Sequence, residues 1–433
     1  MKFFQVQLPL FYSYKDFGDA PVYDKYFGIF SELDFSHIPS HNRGVGANGV
    51  SQHALIRAFI IQKLENLKTV AALINFLDAN PLLKTLCGFE NARLPHNSQF
   101  YRFINKTNHS LFENLLFEAN KKVIGKDVIS TEQIAVDSKP IRALTKENNP
   151  KNSGRNLKDK DKIPKRNPHA TLGYYACVKN GNVKKTEFFW GYRTHCIVDV
   201  NSGIALVEGT FANNRTDAEI AKKLLRKLKR LYKIKKGIIV IADKAYDENS
   251  LYKFIIEQIK GEAVIPINPR NSKPNKDFSV NGNRICQAGL EMVPAGTWTD
   301  GERIRMKQRC PLKASKQTAE KFRNQCPYGN PKFSQGAAYG CTAYLQVNLE
   351  DYRYRTPRNT PRFEALYKKR IVVEQLFSRV DSEGIEDARQ YKLRGIRNSN
   401  TISYLALSLV ALTAMRMKKP SKIRSLRTFG RTA

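Results

Sequence analysis

Three acidic residues in this chain of 433 occupy positions at which a carboxylate can take part in chemistry. Asp137 follows the apolar run Ile134-Ala-Val136, and Asp243 follows the run Gly237-Ile-Ile-Val-Ile-Ala242. Such runs are typical of buried strands, and an α/β sheet binds its ligands where strands end. We therefore predict that both carboxylates lie on a rigid frame and stay open to a ligand. The third acidic residue, Glu374, lies on a predicted helix.

That helix is predicted to begin at Pro361 and to carry Tyr367, Arg370 and Glu374 at spacings i, i+3 and i+7. Residues at this spacing share one face of a helix. A carboxylate that holds a metal ion, beside a guanidinium that binds a phosphate oxygen, suits a phosphate-handling site. An amphipathic helix with a salt-bridged surface glutamate explains the spacing equally well, so the spacing alone leaves both interpretations open.

Charge indicates the kind of partner. The chain has 73 Lys and Arg against 39 Asp and Glu, a formal net charge of +34. An excess of this size attracts polyanions through counterion release, which favours nucleic acid as the main partner. An anionic membrane lacks support, because the longest apolar run, Ile402 to Met415, is shorter than the roughly 20 residues of a membrane-spanning helix. We predict a buried helix there.

Seven cysteines and no recognisable export signal favour reduced thiols and a cytoplasmic location, nucleoid-associated when the protein is bound to DNA. Four of the cysteines fall in one weakly periodic segment and could hold a structural zinc ion: Cys286, Cys310, Cys326 and Cys341. Their spacing contains no Cys-x2-Cys pair, which favours free thiols over zinc.

Periodicity divides the chain into four predicted parts. Residues 1–125 read as helical, either a helix-turn-helix reader of DNA or a plain helical bundle. Residues 126–269 and 361–416 give strands, helices and strands in the order of a mixed α/β sheet. Residues 270–360 read as an insertion, and residues 417–433 as a basic tail.

The motifs around the three acids resemble those of one family. Ala-Val-Asp137-Ser-Lys-Pro-Ile, Ile-Ala-Asp243-Lys-Ala-Tyr-Asp and the Tyr367-x2-Arg370-x3-Glu374 spacing resemble the DDE transposases of bacterial insertion sequences, in the branch with a Tyr-Arg-Glu-Lys signature. The segments Gly191–His195 and Ala212–Asp217 are also similar to that family. The resemblance covers residues 133–397, with a looser likeness in the helical first third.

The resemblance implies an RNase H-like, retroviral-integrase-like mixed sheet with an insertion before the last catalytic helix. Asp137, Asp243 and Glu374 would there bind divalent metal, normally Mg²⁺ with Mn²⁺ as a substitute. The implied activity is endonucleolytic cleavage at the ends of an insertion sequence and strand transfer into target DNA, that is, DNA transposition and recombination. A homodimer on double-stranded DNA is the implied assembly.

Four further residues are candidate DNA contacts. The spacing to Glu374 suggests Tyr367 and Arg370, and charge and location suggest Lys244. Arg193 is the fourth and lies in the segment Gly191–His195 that is similar to the family. One residue departs from the family, because the signature lysine would fall seven residues after Glu374, where Asp381 stands. Arg379, Lys392 and Arg394 are the candidates to replace it.

Two other functions remain open at this point. A nuclease of the same fold would cleave DNA without joining it and would need the same three acids. A DNA-binding regulator derived from a transposase would have no activity, and loss of an acid would favour it. All three acids are present here.

Overall fold

The computed structural model describes residues 21–41, 49–89, 94–149, 159, 161–179, 182–268, 276–314, 316, 319–320, 326, 340–347, 351–381, 384–386 and 388–425. Residues 426–433 of the predicted basic tail lie outside this range. The chain forms two compact units. The first unit contains residues 1–130, 138–215 and 372–433, and the second contains residues 131–137 and 216–371. The predicted division into domains stays a prediction.

Six helices precede the first strand in the described part of the first unit. They are α1 (Pro21–Ser31), α2 (Gln52–Leu64), α3 (Val70–Asp78), α4 (Pro81–Cys87), α5 (Asn97–Lys106) and α6 (His109–Ile124). Side-chain caps begin several of them: Ser51 accepts a hydrogen bond from the Ala54 amide, and Thr69 accepts one from Ala72. Such caps pair amides that the first helical turn leaves without partners.

The core of the first unit is α12 (Lys392–Arg416), which packs against α6, α5, α2 and β4 (Ala205–Ala212). Its apolar run from Ile402 is buried, as predicted. Some polar side chains inside this core pair with one another: Ser408 Oγ donates to Asn120 Oδ1 at 2.8 Å. In the described residues no single helix is long and apolar enough to span a membrane, and the bent pair α3 and α4 passes by length and composition only.

Three antiparallel strands of the first unit form one part of a mixed sheet. Strand β3 (Asn182–Asp199) pairs with β2 (Thr171–Lys179) through its first half and with β4 through its second half. It also neighbours β1 (Gln133–Arg142), whose residues 138–142 belong to this unit. Gly191 allows that approach, because a Cβ atom there would lie 2.0 Å from the carbonyl oxygen of Ile141.

The second unit contains the parallel part of the sheet. The first residues of β1 pair with β5 (Ile239–Ala242), and β5 pairs with β6 (Glu262–Val264). The helices are α7 (Asp217–Leu231) and α8 (Asn249–Phe254), the latter continued by a π-helical turn. The apolar face of α7, which includes Leu224, Leu225 and Leu228, is buried, and its other face is basic. The sheet as a whole is mixed and the architecture is α/β.

A small antiparallel sheet follows in the second unit. It has the order β7 (Val293–Asp300), β8 (Arg303–Arg309) and β9 (Thr342–Val347), with a short helix, α9 (Pro311–Ala314), after β8. These elements lie in the segment that the sequence marks as an insertion.

The helix predicted to run from Pro361 through Glu374 is interrupted, which corrects the sequence interpretation. Helix α10 (Pro361–Lys368) ends before α11 (Ile371–Asp381) begins. The Lys369 amide bonds to the Leu366 carbonyl at 3.1 Å and the Arg370 amide to that of Tyr367 at 2.9 Å. Such three-residue bonds tighten a last helical turn, and the β-branched residues that follow have weaker helix propensity.

Candidate active site

Asp137 and Asp243 occupy matching positions on two neighbouring parallel strands. The register of β1 and β5 ends with Val136 opposite Ala242, so the next residue on each strand is one of the two aspartates. Neighbouring strands lie about 4.8 Å apart, so the two carboxylates start from adjacent backbone positions. Both residues are half-buried.

The environment of Asp137 differs in one respect from the sequence interpretation. Asp137 does not end its strand, because β1 continues to Arg142; only the pairing with β5 ends there. Beyond this point, β1 has β3 as its neighbour. Asp137 therefore lies where β1 changes partners, and Asp243 lies where β5 stops.

Arg370 contacts Asp137 directly. Its Nη1 donates a hydrogen bond of 2.7 Å to Asp137 Oδ2, and the exposed fractions of the two side chains are 20% and 15%. Lys369 Nζ, on the adjacent residue, donates a hydrogen bond of 2.8 Å to Gln133 Oε1, and Gln133 precedes Asp137 on β1. Residues 133 and 137 lie on the same face of a strand because side chains alternate with a period of two. The turn after α10 is thus fixed to that face by two cations.

Tyr367 lies in the electric field of both aspartates. Burial raises the pKa of its phenol above the ordinary value, Arg370 opposes that rise, and the carboxylates of Asp243 and Asp137 add to it. The phenol therefore stays protonated at neutral pH and can donate a hydrogen bond, for example to a phosphate oxygen. It is a poor nucleophile in this state.

Asp243 is oriented by the turn that it begins. Its side chain accepts a hydrogen bond of 2.8 Å from the Ala245 amide and caps a 3₁₀ turn over Lys244–Tyr246. This contact occupies one carboxylate oxygen, Oδ1, and fixes the direction of the other. Lys244, a predicted DNA contact, is exposed on that turn.

Two buried residues that sequence reasoning did not single out support this turn. Asp247 accepts hydrogen bonds from the Asn268 amide at 2.8 Å and from the Tyr252 hydroxyl at 3.1 Å. Arg358 donates to the Ile265 carbonyl at 2.8 and 2.9 Å and to the Tyr252 hydroxyl at 2.8 Å. Asp247 ends the Asp243 motif, which was a usable signal; no local pattern marks Arg358.

The donor set fits a hard divalent cation. Mg²⁺ is commonly held by one or two carboxylates, with waters and substrate phosphates completing its shell. Asp137 and Asp243 supply two such carboxylates from adjacent strands. In the part of the chain that the structure describes, no three His, Cys, Asp or Glu side chains are grouped so that they could hold a metal ion.

The remaining predicted site residues belong to the first unit. Glu374 is exposed in the first turn of α11, and Arg193 is half-buried on β3 opposite Phe211. The structure thus brings together Asp137, Asp243, Tyr367 and Arg370 within the second unit. The roles of Glu374 and Arg193 stay predictions.

Asp381, which stands where the family signature has lysine, has a partner within the first unit. It accepts a hydrogen bond from Lys139, which also pairs with Glu386 at 2.8 Å. Of the candidate replacements, Arg379 donates to the Gly203 carbonyl at 2.6 Å and Arg394 contacts the Lys106 carbonyl at 3.4 Å. Asp381 therefore serves as the counter-ion of a lysine from β1.

Comparison with known families accounts for most of the chain. A family model described as a transposase DDE domain matches residues 130–409, and one described as a transposase domain matches residues 23–106. The chain belongs to the family of transposases with a DDE domain. It is a transposase, and members of this family generally use divalent metal ions.

Two other comparisons add little. A solved structure described as a piggyBac transposase synaptic complex with hairpin DNA is similar at 12% identity, covering 96% of this chain and 85% of the other, with a TM-score of 0.31. A score this low carries no argument about this chain. Comparison with the curated proteins finds no match.

Proposed function

We propose that this transposase cleaves DNA at the ends of an insertion sequence and joins the freed strand to target DNA, with Asp137, Asp243 and Glu374 as its metal-binding carboxylates. The adjacent positions of Asp137 and Asp243 on parallel strands carry this proposal. Glu374 is proposed as the third carboxylate on sequence grounds, from its spacing along the chain relative to Tyr367 and Arg370.

An RNase H-like fold is part of the proposal. Followed through β1, the sheet has an antiparallel meander of β3 and β4 on one side and the parallel strands β5 and β6 on the other. The family resemblance implies a mixed sheet on which carboxylates from distant parts of the chain converge. The order of the strands supports that assignment.

The side chains of the second unit have distinct parts in the reaction. Bound Mg²⁺ would supply charge neutralisation at the phosphate and a lowered pKa for a bound water. Asp137 and Asp243 hold the cation, and the Ala245 amide keeps the Asp243 carboxylate oriented. Arg370 is suited to exchange the Asp137 carboxylate for a phosphate oxygen, which carries the same charge and accepts the same kind of hydrogen bond. The protonated hydroxyl of Tyr367 can donate a hydrogen bond to the same phosphate.

Both steps are in-line displacements at phosphorus. Water first displaces the 3′-oxygen at the end of the element, which leaves as a 3′-hydroxyl. That hydroxyl then attacks a target phosphodiester and displaces a 3′-oxygen there, so each step breaks one P–O bond and forms another. No covalent bond to the protein is required. We propose double-stranded DNA bound by a homodimer as the working assembly, in the cytoplasm.

DNA that carries the flanking ends of the gene tests this proposal. The wild-type protein should cut and join these ends in Mg²⁺ and should bind without cutting in Ca²⁺, which fits poorly into a site built for Mg²⁺. Asp137→Ala and Glu374→Ala should each abolish cutting while the variants still bind the DNA. Binding without cutting by the wild type in both Mg²⁺ and Mn²⁺ would overturn the proposed activity. Cutting without joining would instead indicate a nuclease.

A further inference from the structure

Four cysteines of the second unit line one cavity of about 400 Å³: Cys286, Cys310, Cys326 and Cys341. They come from three separate stretches of the described chain, and none of them forms a disulfide. Two other cysteines, Cys87 and Cys196, are buried in the first unit.

Sheet register brings Cys310 and Cys341 together. Strands β8 and β9 are antiparallel, and their pairing ends with Arg309 opposite Thr342. The next residues outward are Cys310 and Cys341, which are therefore cross-strand neighbours. Gly340 also lies close to Cys310, since a Cβ atom on Gly340 would lie 2.7 Å from Cys310 Cβ. Only a glycine fits this approach, and its φ of +63° favours glycine as well.

Cys286 reaches the same cavity from a tight turn. Its amide donates to the Leu290 carbonyl at 2.9 Å, and its carbonyl accepts from the Gly289 amide at 2.9 Å. Gly289 has a φ of +74°, the left-handed conformation that such a turn needs. This turn holds Cys286 in the same cavity as the pair Cys310 and Cys341. Cys326 lines that cavity as well.

The part of the second unit that surrounds this cavity, between residues 276 and 347, has little apolar core of its own in its described residues. Between residues 276 and 347, the buried apolar side chains of the described residues are Met292, Met306, Cys310, Pro311 and Val347. Most of β7 is exposed on both faces. Small lobes that cannot bury enough apolar surface usually depend on a metal ion or on disulfides for their stability.

Electrostatics points in the same direction. Four thiolates lining one cavity would repel one another. A divalent cation among them reverses this balance, because it favours the thiolate form of each ligand.

We infer that Cys286, Cys310, Cys326 and Cys341 form a structural zinc site that fastens the β7–β9 sheet to the preceding turn. Four thiolates make a closed tetrahedral set at about 2.3 Å from zinc, and soft sulfur ligands disfavour Mg²⁺. Cys-x2-Cys spacing is unnecessary here because strand register supplies the proximity. The described side chains do not yet form a coordination shell, so the thiols close onto the ion by side-chain rotation, releasing up to four protons to solvent.

Metal content of the protein purified without chelators tests this inference. The wild type should contain about one zinc ion per chain by elemental analysis. Cys310→Ser and Cys341→Ser should lose it, whereas the controls Cys87→Ala and Cys196→Ala should retain it. Asp137→Ala should also retain its zinc, so this result is independent of whether the proposed DNA cleavage is correct.

A second measurement covers variants that fail to fold. Wild-type protein stripped of zinc under reducing conditions should bind Co²⁺ and develop a thiolate-to-cobalt absorption band, with faster tryptic cleavage between residues 276 and 347 before the metal is added. Wild type that holds no zinc and shows no such band would overturn the inference. Full zinc in Cys310→Ser, or a Cys310–Cys341 disulfide in freshly purified protein, would overturn it as well.

Discussion

Arg370 Nη1 lies 2.7 Å from Oδ2 of Asp137, so a guanidinium from the turn after α10 neutralises one of the two carboxylates on adjacent parallel strands. A cation that binds these carboxylates must share Asp137 with Arg370. On the proposed function, a phosphate oxygen of DNA would replace Asp137 as the partner of Arg370, so metal binding and DNA binding would be coupled.

Arg370→Gln should therefore separate metal affinity from activity. Without DNA, the variant should bind Mn²⁺ about tenfold more tightly, because one positive charge beside the ligand is gone. DNA cleavage should fall on the order of 100-fold, since a donor to the transferring phosphate is lost. Calorimetry with Mn²⁺ and a cleavage assay measure the two effects. Arg362→Gln, which removes an exposed arginine of α10 that pairs with Glu262, is the matched control and should change neither.

Asp381→Lys should destabilise the protein, although it restores the residue of the family signature. The half-buried Lys139 would then face a like charge in place of one of its two counter-ions, the other being Glu386. The loss in free energy of unfolding should be about 3 kcal/mol, as for other partly buried ion pairs that lose one partner. Urea unfolding measures it, with Ser378→Lys, an exposed change on the same helix, as the control. The swap of Lys139→Asp with Asp381→Lys should recover part of the loss; no recovery would contradict the pairing.

Gly191→Ala should be severely destabilising. A Cβ atom at this position would lie 2.0 Å from the Ile141 carbonyl oxygen, and backbone cannot move aside as a flexible side chain can. The loss should reach about 3 kcal/mol or more, in the range of overpacked cores. Gly125→Ala serves as the control because the nearest atom to its Cβ lies at 3.5 Å, an ordinary contact. Equal unfolding midpoints for the two variants would contradict the close strand approach.

His109 should make stability depend on pH in a definite direction. Burial lowers the pKa of its imidazole, but Glu113, Glu208 and Asn398 outweigh this and hold the pKa above its ordinary value. A raised pKa in the folded state stabilises the protein below the unfolded value of about 6.5, and this contribution disappears as the pH rises through the folded pKa. The free energy of unfolding at pH 6 minus that at pH 8 should therefore be smaller in His109→Gln than in the wild type.

A second histidine with a shifted pKa, His195, does not affect this comparison, because its contribution cancels between the two proteins. Burial, with a contribution from Arg193, lowers the pKa of His195 to about 3, so that residue contributes stability that is lost as pH falls through its unfolded value. Because His195 is present in both proteins, the difference between them isolates His109. The same pH dependence in both proteins would show that His109 is not held protonated by its carboxylate neighbours.

The placement of Asp137 and Asp243 was predictable because apolar runs fix buried strands, and a residue that follows such a run falls where pairing ends. The parallel register that makes them neighbours was not predictable, since no local pattern encodes which strands pair. The break between α10 and α11 was also missed. The helical spacing of the residues continues across this break. Only the hydrogen bonds from the Lys369 and Arg370 amides to carbonyls three residues earlier reveal it.

Long-range partners account for the rest. Asp381 reads as a missing lysine until its contact with Lys139, 242 residues earlier, is known. The four cysteines lack a metal-binding spacing in sequence because antiparallel register, rather than a local loop, brings Cys310 beside Cys341. Contacts of this kind join residues that are distant in sequence, so no local sequence pattern predicts them.

The most direct test of the central claim is the metal preference of Asp243→Cys in DNA cleavage. If Asp243 binds the catalytic metal, the thiolate should abolish cleavage in Mg²⁺, and Mn²⁺, which accepts sulfur more readily, should restore a measurable part of it. Glu248→Gln, a change at an exposed acid five residues away, should cleave normally in both metals. Full activity of Asp243→Cys in Mg²⁺, or an equal loss in both metals, would contradict the assignment of Asp243 as a metal ligand.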